Sequence, residues 1–365
     1  MKHRWTPLLL LLACLTAAAQ HYTPKGIEYV YTEASDLTLI GKVLPTEVPY
    51  ARADTSRYKG WTAWENFEVR CASGIAVLFK TNSSAVRLRP VYGELYNGVS
   101  TTVLAHRGFD LYIREDGRWL WAGAVAPAVG KEAGCELSLI RNMSPGEHEC
   151  LLYLPLYSEL KGLGIGVEKG AALTPMESPF RHRVVIYGSS YTHGVSCSRA
   201  GMTYPAIFSR NTGIQLLSFA MSGQCKMQPY AADVLRDVPA DAFVFDTFSN
   251  PSIKEIQTRL FPFIEKIQST HPGAPLIFQR TIRRENRNFD TGSEFAEAGR
   301  IAVADSLMDI ACRKYKDVYY IHPDATARDH EATVDGVHPS DYGYQRWEQS
   351  IERKVKKILR RYGIR

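Results

Sequence analysis

The sequence predicts an α/β domain built on a parallel sheet, preceded by a β-sandwich. Three observations carry this. Beyond residue 180, short strand-like runs alternate with helical stretches: 184–187 (VVIY), 216–219, 242–245, 276–279 and 318–321 are the runs. Residues 253–269 and 294–315 lie between them with apolar side chains at three- and four-residue steps. Such alternation gives parallel strands whose crossover helices cover both faces of one sheet. Before residue 167 the pattern is different, with strand following strand between turn residues and no helical period. Finally, the first three runs of the second half end in small polar residues: Gly188-Ser189-Ser190, Ser222-Gly223 and Ser249-Asn250. Open α/β sheets place ligands at that carboxyl edge.

Taken in order, the chain begins with a leader. Lys2 and Arg4 precede the apolar run 8–12, and Ala17-Ala18-Ala19 offers a small-residue cleavage site before Gln20. This is the pattern of a secretory signal peptide over 1–19, too short to span a bilayer. A lipoprotein signal acylated at Cys14 is the less favoured alternative, because Leu15 and the alanines continue an ordinary signal. The expected location is outside the cytoplasm, secreted or periplasmic.

The β half is expected over 20–170. Residues 74–81 (GIAVLFKT) and 85–88 read as strands around Asn82-Ser83-Ser84. Residues 110–114 and 119–122 flank a turn containing Gly117, a hairpin signature. Residues 135–141 and 150–157 flank Ser144-Pro145-Gly146-Glu147 and read as a second hairpin, and 165–167 closes the set. Trp61, Trp64, Trp119 and Trp121 are expected in the sandwich core rather than at a sugar-stacking surface. Residues 171–182, with Pro175 and Pro179, are the expected linker, and 183–365 is the α/β domain. The basic C-terminal run carries Ile351, Val355, Ile358 and Leu359 at helical spacing, so it reads as an amphipathic closing helix with a solvated face.

The formal charge of +6 is mild for a chain of this length, and with no basic stripe a nucleic-acid partner is not expected. No run outside the leader is long enough to span a membrane either. Cys71, Cys135, Cys150, Cys197, Cys225 and Cys312 remain after the leader, too few for a disulfide-built scaffold, and no C-x-x-C suggests structural zinc. Cys197 and Cys225 each follow a sheet-edge block closely; two thiols are favoured over a bond between them.

Read for chemistry, strand ends supply Ser190, Gly223 and Asn250 in that order, and a late loop supplies Asp335-Gly336-Val337-His338. Acyl transfer needs a nucleophile, a base, an orienter for the base and donors for an oxyanion. Ser190 can supply the first and His338 the second, with Asp335 three residues away to hold its ring. There is no G-x-S-x-G elbow around Ser190. The string His322, Asp324, His330, Asp335 and His338 is an alternative metal set, but its spacings match no known ligand signature and leave Ser190, Gly223 and Asn250 unexplained. His193, near Ser190, is expected to be a hydrogen-bonding surface residue. No cofactor is called for.

This order of blocks, from about residue 183 to 347, resembles the SGNH (GDSL-type) hydrolases. Gly108-Phe109-Asp110-Leu111-Tyr112 fits the GxDLY motif of the β-sandwich that precedes some bacterial members. The resemblance implies a flavodoxin-like three-layer catalytic domain behind a jelly-roll-like sandwich. It also implies an oxyanion hole formed by the Ser190 N–H, the Gly223 N–H and the Asn250 side-chain amide. Ser189 replaces an aspartate common in the family, and Gln224-Cys225 replaces Asn-Gly. These departures affect loop shape, not the groups acyl transfer needs. The expected activity is a serine esterase that removes a short acyl group, chiefly acetyl, from a carbohydrate or similar polar alcohol. A lipase-like enzyme for longer acyl chains and a non-catalytic glycan-binding protein are the alternatives. Asp110 is expected to pin a loop.

Overall fold

The computed structural model describes residues 26–326 and 331–365. The leader with Cys14, and His330, lie outside the described residues.

The first half holds ten strands: β1 (Tyr29–Glu33), β2 (Thr38–Ile40), β3 (Ala76–Thr81), β4 (Val86–Leu95), β5 (Phe109–Glu115), β6 (Arg118–Val125), β7 (Leu137–Ile140), β8 (His148–Tyr153), β9 (Ser158–Glu168) and β10 (Leu173–Pro175). They form two antiparallel sheets, β1-β9-β4-β7 and β10-β3-β8-β5-β6, the second with β2 also paired to β3. Two short helices interrupt them, α1 (Ala63–Arg70) and α2 (Val103–Arg107).

The 110–122 hairpin forms around Asp116-Gly117, both at positive φ (48° and 77°), as a tight two-residue connection requires. The expected second hairpin does not form. β7 pairs with β4 in one sheet and β8 with β3 and β5 in the other, so 141–147 crosses between sheets. The expected linker is shorter than its prolines suggested: Leu173–Pro175 adds a strand to β3, and the next domain's first strand already starts at Arg181. Pro175 is tolerated there because an edge position needs no N–H.

The second half contains a five-stranded parallel sheet in the order β12-β11-β13-β14-β15. Its strands are β11 (Arg181–Gly188), β12 (Ile214–Ala220), β13 (Ala242–Asp246), β14 (Leu276–Gln279) and β15 (Val318–Ile321). This 2-1-3-4-5 order is the flavodoxin-like one, with its switch point beside the first strand. Helices α3 (Ser190–His193), α4 (Tyr204–Thr212), α5 (Pro229–Asp237), α6 (Ile253–Gln268), α7 (Thr291–Lys314) and α8 (Asp341–Leu359) complete the domain. Val184 and Ile186 face α4 and α8, while Val185 and Tyr187 face α5, α6 and α7. Burial on both faces is why these strands read as unbroken apolar runs.

The same double burial occurs in the sandwich, and it joins the domains. Val77 and Phe79 of β3, Cys150 and Leu152 of β8, and Phe109 and Leu111 of β5 point into the sandwich core. Their alternates, Ala76, Leu78, Leu151, Tyr153 and Tyr112, point the other way and share a core with Val184, Ile186, Phe208 and Trp347 of the α/β domain. A strand's period of two therefore puts Asp110 and Tyr112 of the GxDLY stretch on the domain interface. Asp110 Oδ2 accepts from the Gly201 N–H (2.8 Å) and from Arg199 (3.0 Å), and Oδ1 accepts from Trp121 Nε1 (3.0 Å). Arg199 also donates to the Tyr112 hydroxyl at 2.5 Å. A side chain on Gly201 would collide with both Tyr112 and Asp110, so glycine permits the approach. Ser198, next to this clamp, donates through its N–H and hydroxyl to Asp341, which begins α8 just after His338. The expected loop-pinning by Asp110 thus spans two domains.

Asp110 is only 1 % exposed. Asp110→Ala strands a guanidinium, an indole N–H and a backbone N–H, and is expected to destabilise the protein by about 3–5 kcal/mol. A urea midpoint unchanged from the parent would show that the clamp contributes nothing.

The tryptophans depart from expectation. Trp121 is 54 % exposed, held at its edge by Asp110. Trp119 is half-buried and stacks on Phe180 across the domain boundary. Trp61 packs on Phe219 and Tyr230 of the α/β domain. None lies in the core between the two sandwich sheets, because the face that looked like a sandwich interior is the docking face. The described cysteines, Cys197 and Cys225 among them, are thiols; Cys197 donates to the carbonyls of Gly194 and Arg199 and Cys225 to that of Asp246.

Candidate active site

At the switch point, β11 ends at Gly188 and the chain turns into α3. A Cβ on Gly188 would strike the Thr192 side chain, so the turn closes over glycine. Ser189 caps α3, accepting from the Tyr191 N–H, and its own hydroxyl donates to Asp246 Oδ2 at 2.7 Å. Asp246, at the end of β13, also accepts from the Ser189 N–H (3.1 Å), the Thr192 hydroxyl (3.0 Å) and the Ser249 hydroxyl. Burial pushes its carboxyl up to about 6 even though these bonds pull it down. The carboxylate beneath Ser190 fixes the turn on which Ser190 sits.

Ser190 Oγ lies 3.0 Å from His338 Nε2, and His338 Nδ1 lies 2.8 Å from Asp335 Oδ2. The Asp335 bond requires the proton on Nδ1, which leaves Nε2 free to accept from Ser190. Asp335 Oδ1 also accepts from the backbone N–H groups of Val337 (3.0 Å) and His338 (2.7 Å). Burial works to raise the Asp335 carboxyl, but the His338 and Val337 bonds outweigh it and hold the group well below the usual carboxylate range. The loop is tied down by Glu285, which accepts from the N–H groups of Ala332 and Thr333, and by the Asn286 N–H on the Gly336 carbonyl. Gly336 is at φ +81° and packs against Asn286 too closely for a side chain.

Gly223 and Asn250 line the same cleft as Ser190 and His338, a space of about 540 Å³. Gly223 sits at φ +72°, a conformation glycine adopts without penalty. Asn250 Oδ1 accepts from the Cys225 N–H at 3.2 Å, a bond that uses the oxygen of the amide and not its Nδ2 donors. Arg284 braces this side, donating to the Ser249 carbonyl (3.0 Å), Tyr191 hydroxyl (2.9 Å) and Glu297 (3.1 Å). The structure therefore gathers all five sequence-marked residues into one cleft. Among the described residues no group of three or more His, Cys, Asp or Glu side chains converges to hold a metal ion.

The opposite wall was not foreseen. Trp64 of α1, Tyr96, His106 of α2 and Tyr157 come from the sandwich half, together with residues 98–101. Trp64 meets Tyr96 edge-on at 5.0 Å, and His106 meets Tyr157 edge-on at 5.5 Å. Burial lowers His106 to about 4, keeping it neutral, and its Nε2 accepts from the Gly98 N–H at 3.2 Å. Tyr157 stacks on His193 at 4.1 Å. His193, expected at the surface, is fully buried, with its Nε2–H on the Leu156 carbonyl. One signal for this wall was available: Thr62-Ala63-Trp64-Glu65 is a capping box that starts α1 and carries Trp64 to the cleft.

A parallel sheet of this order, with a serine, histidine and aspartate in hydrogen-bonded line at its carboxyl edge, defines the class of α/β serine hydrolases. Comparison with known proteins narrows this. Residues 181–356 match the model of the GDSL-like lipase/acylhydrolase family, and residues 27–173 match that of the GxDLY N-terminal domain of SGNH-type esterases. A crystal structure described as a GDSL-like lipase from Bacteroides ovatus is 36 % identical, covers 91 % of this chain and 98 % of its own, and superposes with a TM-score of 0.88. The chain belongs to the SGNH (GDSL-like) hydrolase family and is an esterase of that type.

More distant structures share the fold. The salicylyl-acyltransferase SsfX3 of a tetracycline biosynthetic pathway is 19 % identical, with a TM-score of 0.70 and coverage of 94 % of this chain and 100 % of its own. A family two carbohydrate esterase from Clostridium thermocellum, solved with cellohexaose, is 15 % identical, with a TM-score of 0.58 and coverage of 79 % and 93 %. Comparison with curated protein sequences gave no significant match.

Proposed function

We propose that this chain is an exported esterase that removes a short acyl group, chiefly acetyl, from a carbohydrate or similarly polar alcohol. Ser190 Oγ attacks the ester carbonyl carbon while His338 Nε2 takes the hydroxyl proton. The resulting oxyanion is received by the Ser190 and Gly223 N–H groups and the Asn250 amide. Collapse breaks the bond to the alcohol oxygen, which leaves with the proton held by His338. Water, deprotonated by His338, then attacks the acyl-Ser190, and a second collapse frees the acid and restores the serine. Asp335 keeps the imidazole in the tautomer these transfers need.

The observation that carries the substrate reading is the lining of the cleft. Among its described residues the only aliphatic side chains are Val99, Val195 and Val337. The rest is aromatic or small and polar on the sandwich side, and small or polar elsewhere. Aromatic faces beside hydroxyl and amide groups suit a ring with apolar and hydroxylated faces, as a sugar has. An octanoyl chain has six more methylenes than acetyl, each needing cover for about 0.8 kcal/mol of stabilisation. Three valines do not provide that trough. Carbohydrate esterases, including an acetyl xylan esterase from Butyrivibrio proteoclasticus, share the fold, which makes the substrate class compatible with it. Export rests on the leader sequence. Among the described residues no helix is long and apolar enough to cross a membrane.

On the purified mature protein, kcat/KM for p-nitrophenyl acetate is expected to exceed that for the octanoate by at least roughly tenfold, with acetylated glycans also cleaved. Octanoate as the better substrate by that margin would replace this reading with a lipase.

A further inference from the structure

The turn that carries Gly223 is anchored from the other domain. The Ser222 N–H donates to Glu68 Oε1 of α1 at 2.8 Å, and Glu68 is 0 % exposed. The Met221 N–H is on the Gly188 carbonyl (2.9 Å), and the Met221 carbonyl accepts from the Gln224 N–H. Residues 221 and 222 are thus both tethered, and the peptide that presents the Gly223 N–H follows directly. Burying a carboxyl is costly, and one kept there without full compensation calls for an explanation. Glu68 Oε2 has no hydrogen-bond partner. Arg52, also fully buried, spends its guanidinium on the backbone carbonyls of Glu68, Cys71 and Ser218. His193 Nδ1 stands 3.7 Å from Glu68 Oε1, beyond hydrogen-bond reach. The neighbouring acid on α1, Glu65, is engaged elsewhere, by Gln228, Tyr230 and the helix cap. Ser222 is therefore the residue that the Glu68 carboxyl holds, through its backbone N–H at 2.8 Å and with its hydroxyl beside it.

We propose that Glu68, contributed by the sandwich half, is a positioning residue for catalysis that aims the Gly223 N–H at the oxyanion. This rests on the reading of Gly223 as an oxyanion donor. Small displacements of such a donor are expensive, because its value depends on meeting the charge where it develops. Burial raises the Glu68 carboxyl to about 8 against the pull of the Ser222 bond and of Arg52. At neutral pH it is mainly uncharged, so it does not oppose a nearby oxyanion, and an amide at this place can accept the same bond.

The test compares Glu68→Ala, Glu68→Asp and Glu68→Gln with the parent, using p-nitrophenyl acetate and a thermal melt of each protein. Glu68→Ala is expected to lower kcat by roughly 10- to 100-fold with KM within about twofold, a fraction of the loss when a donor is removed outright. Glu68→Asp, which withdraws the acceptor by one methylene, is expected to fall between. Glu68→Gln is expected to stay within about threefold of the parent. If Glu68→Ala does not fold, Glu68→Asp decides. Folded Ala or Asp variants with parental kcat would overturn the proposal, as would a loss confined to KM. Ser190→Ala and Asn250→Ala separate this from the site reading. If Ser190→Ala is inactive and Asn250→Ala loses roughly 10²–10³ in kcat while Glu68→Ala keeps full kcat, the oxyanion hole stands and the role of Glu68 falls. If Ser190→Ala is active, the site reading itself falls.

Discussion

Ser190→Ala and His338→Ala are each expected to reduce ester hydrolysis by roughly four to six orders of magnitude, with Asp335→Ala leaving a larger remainder. The order follows from the geometry. In the proposed mechanism Ser190 supplies the bond-forming oxygen, and every proton transfer passes through His338 Nε2, 3.0 Å away. Asp335 acts through the far side of the ring, and its loss costs orientation and tautomer rather than a reacting atom. What remains in each variant comes from substrate binding and the oxyanion donors. The measurement is kcat/KM on p-nitrophenyl acetate with purified protein of parental melting temperature. Near-normal turnover by Ser190→Ala would remove the serine mechanism. Activity lost to a chelator and restored by zinc would then favour the histidine and carboxylate string as a metal site.

The second large effect concerns Asn250. Asn250→Ala is expected to lower kcat by roughly 10²–10³ with little change in KM, the usual cost of deleting one oxyanion donor. In the proposed mechanism the side chain has two tasks, because its Oδ1 also anchors the Cys225 N–H. Asn250→Asp separates them. It keeps an oxygen for Cys225 but puts an acceptor where the donor was, so kcat is expected to fall at least as far as with alanine. A fully active Asn250→Asp would mean that only the anchor matters.

The parallel sheet was legible because its strands are short apolar runs between helical stretches, and the first three run into Gly, Ser or Asn. Strands 276–279 and 318–321 match the observed elements residue for residue. The five marked site residues were legible for a related reason: each sits at a strand end or in the one Asp-x-x-His loop. The sandwich was harder. Leu78, Leu151 and Tyr153 are apolar because they meet the second domain, and a single sequence does not say which partner a second apolar face will find. The same ambiguity placed Trp119 and Trp121 inside. The aromatic wall was hidden differently. Trp64, Tyr96, His106 and Tyr157 are distant in sequence, converge through the folding of the sandwich half, and reach the catalytic side only when the two domains dock. Glu68 and Asp246 carry no motif at all; only their burial and the N–H groups they receive mark them.

The shared core between the sandwich and the parallel sheet also bears on how the chain comes into being. The sandwich half leaves the ribosome first, and at ordinary rates of about 5–20 residues per second the remaining half takes roughly 10–40 s to follow. Throughout that interval the outer face of the six-stranded sheet, with Leu78, Tyr112, Leu151 and Tyr153, has nothing to lie against. An uncovered apolar sheet face is a hazard for a nascent chain, and one that a holding chaperone relieves. For the same reason a sandwich grafted from another protein would have to bring a face already fitted to this Gly201 and Arg199.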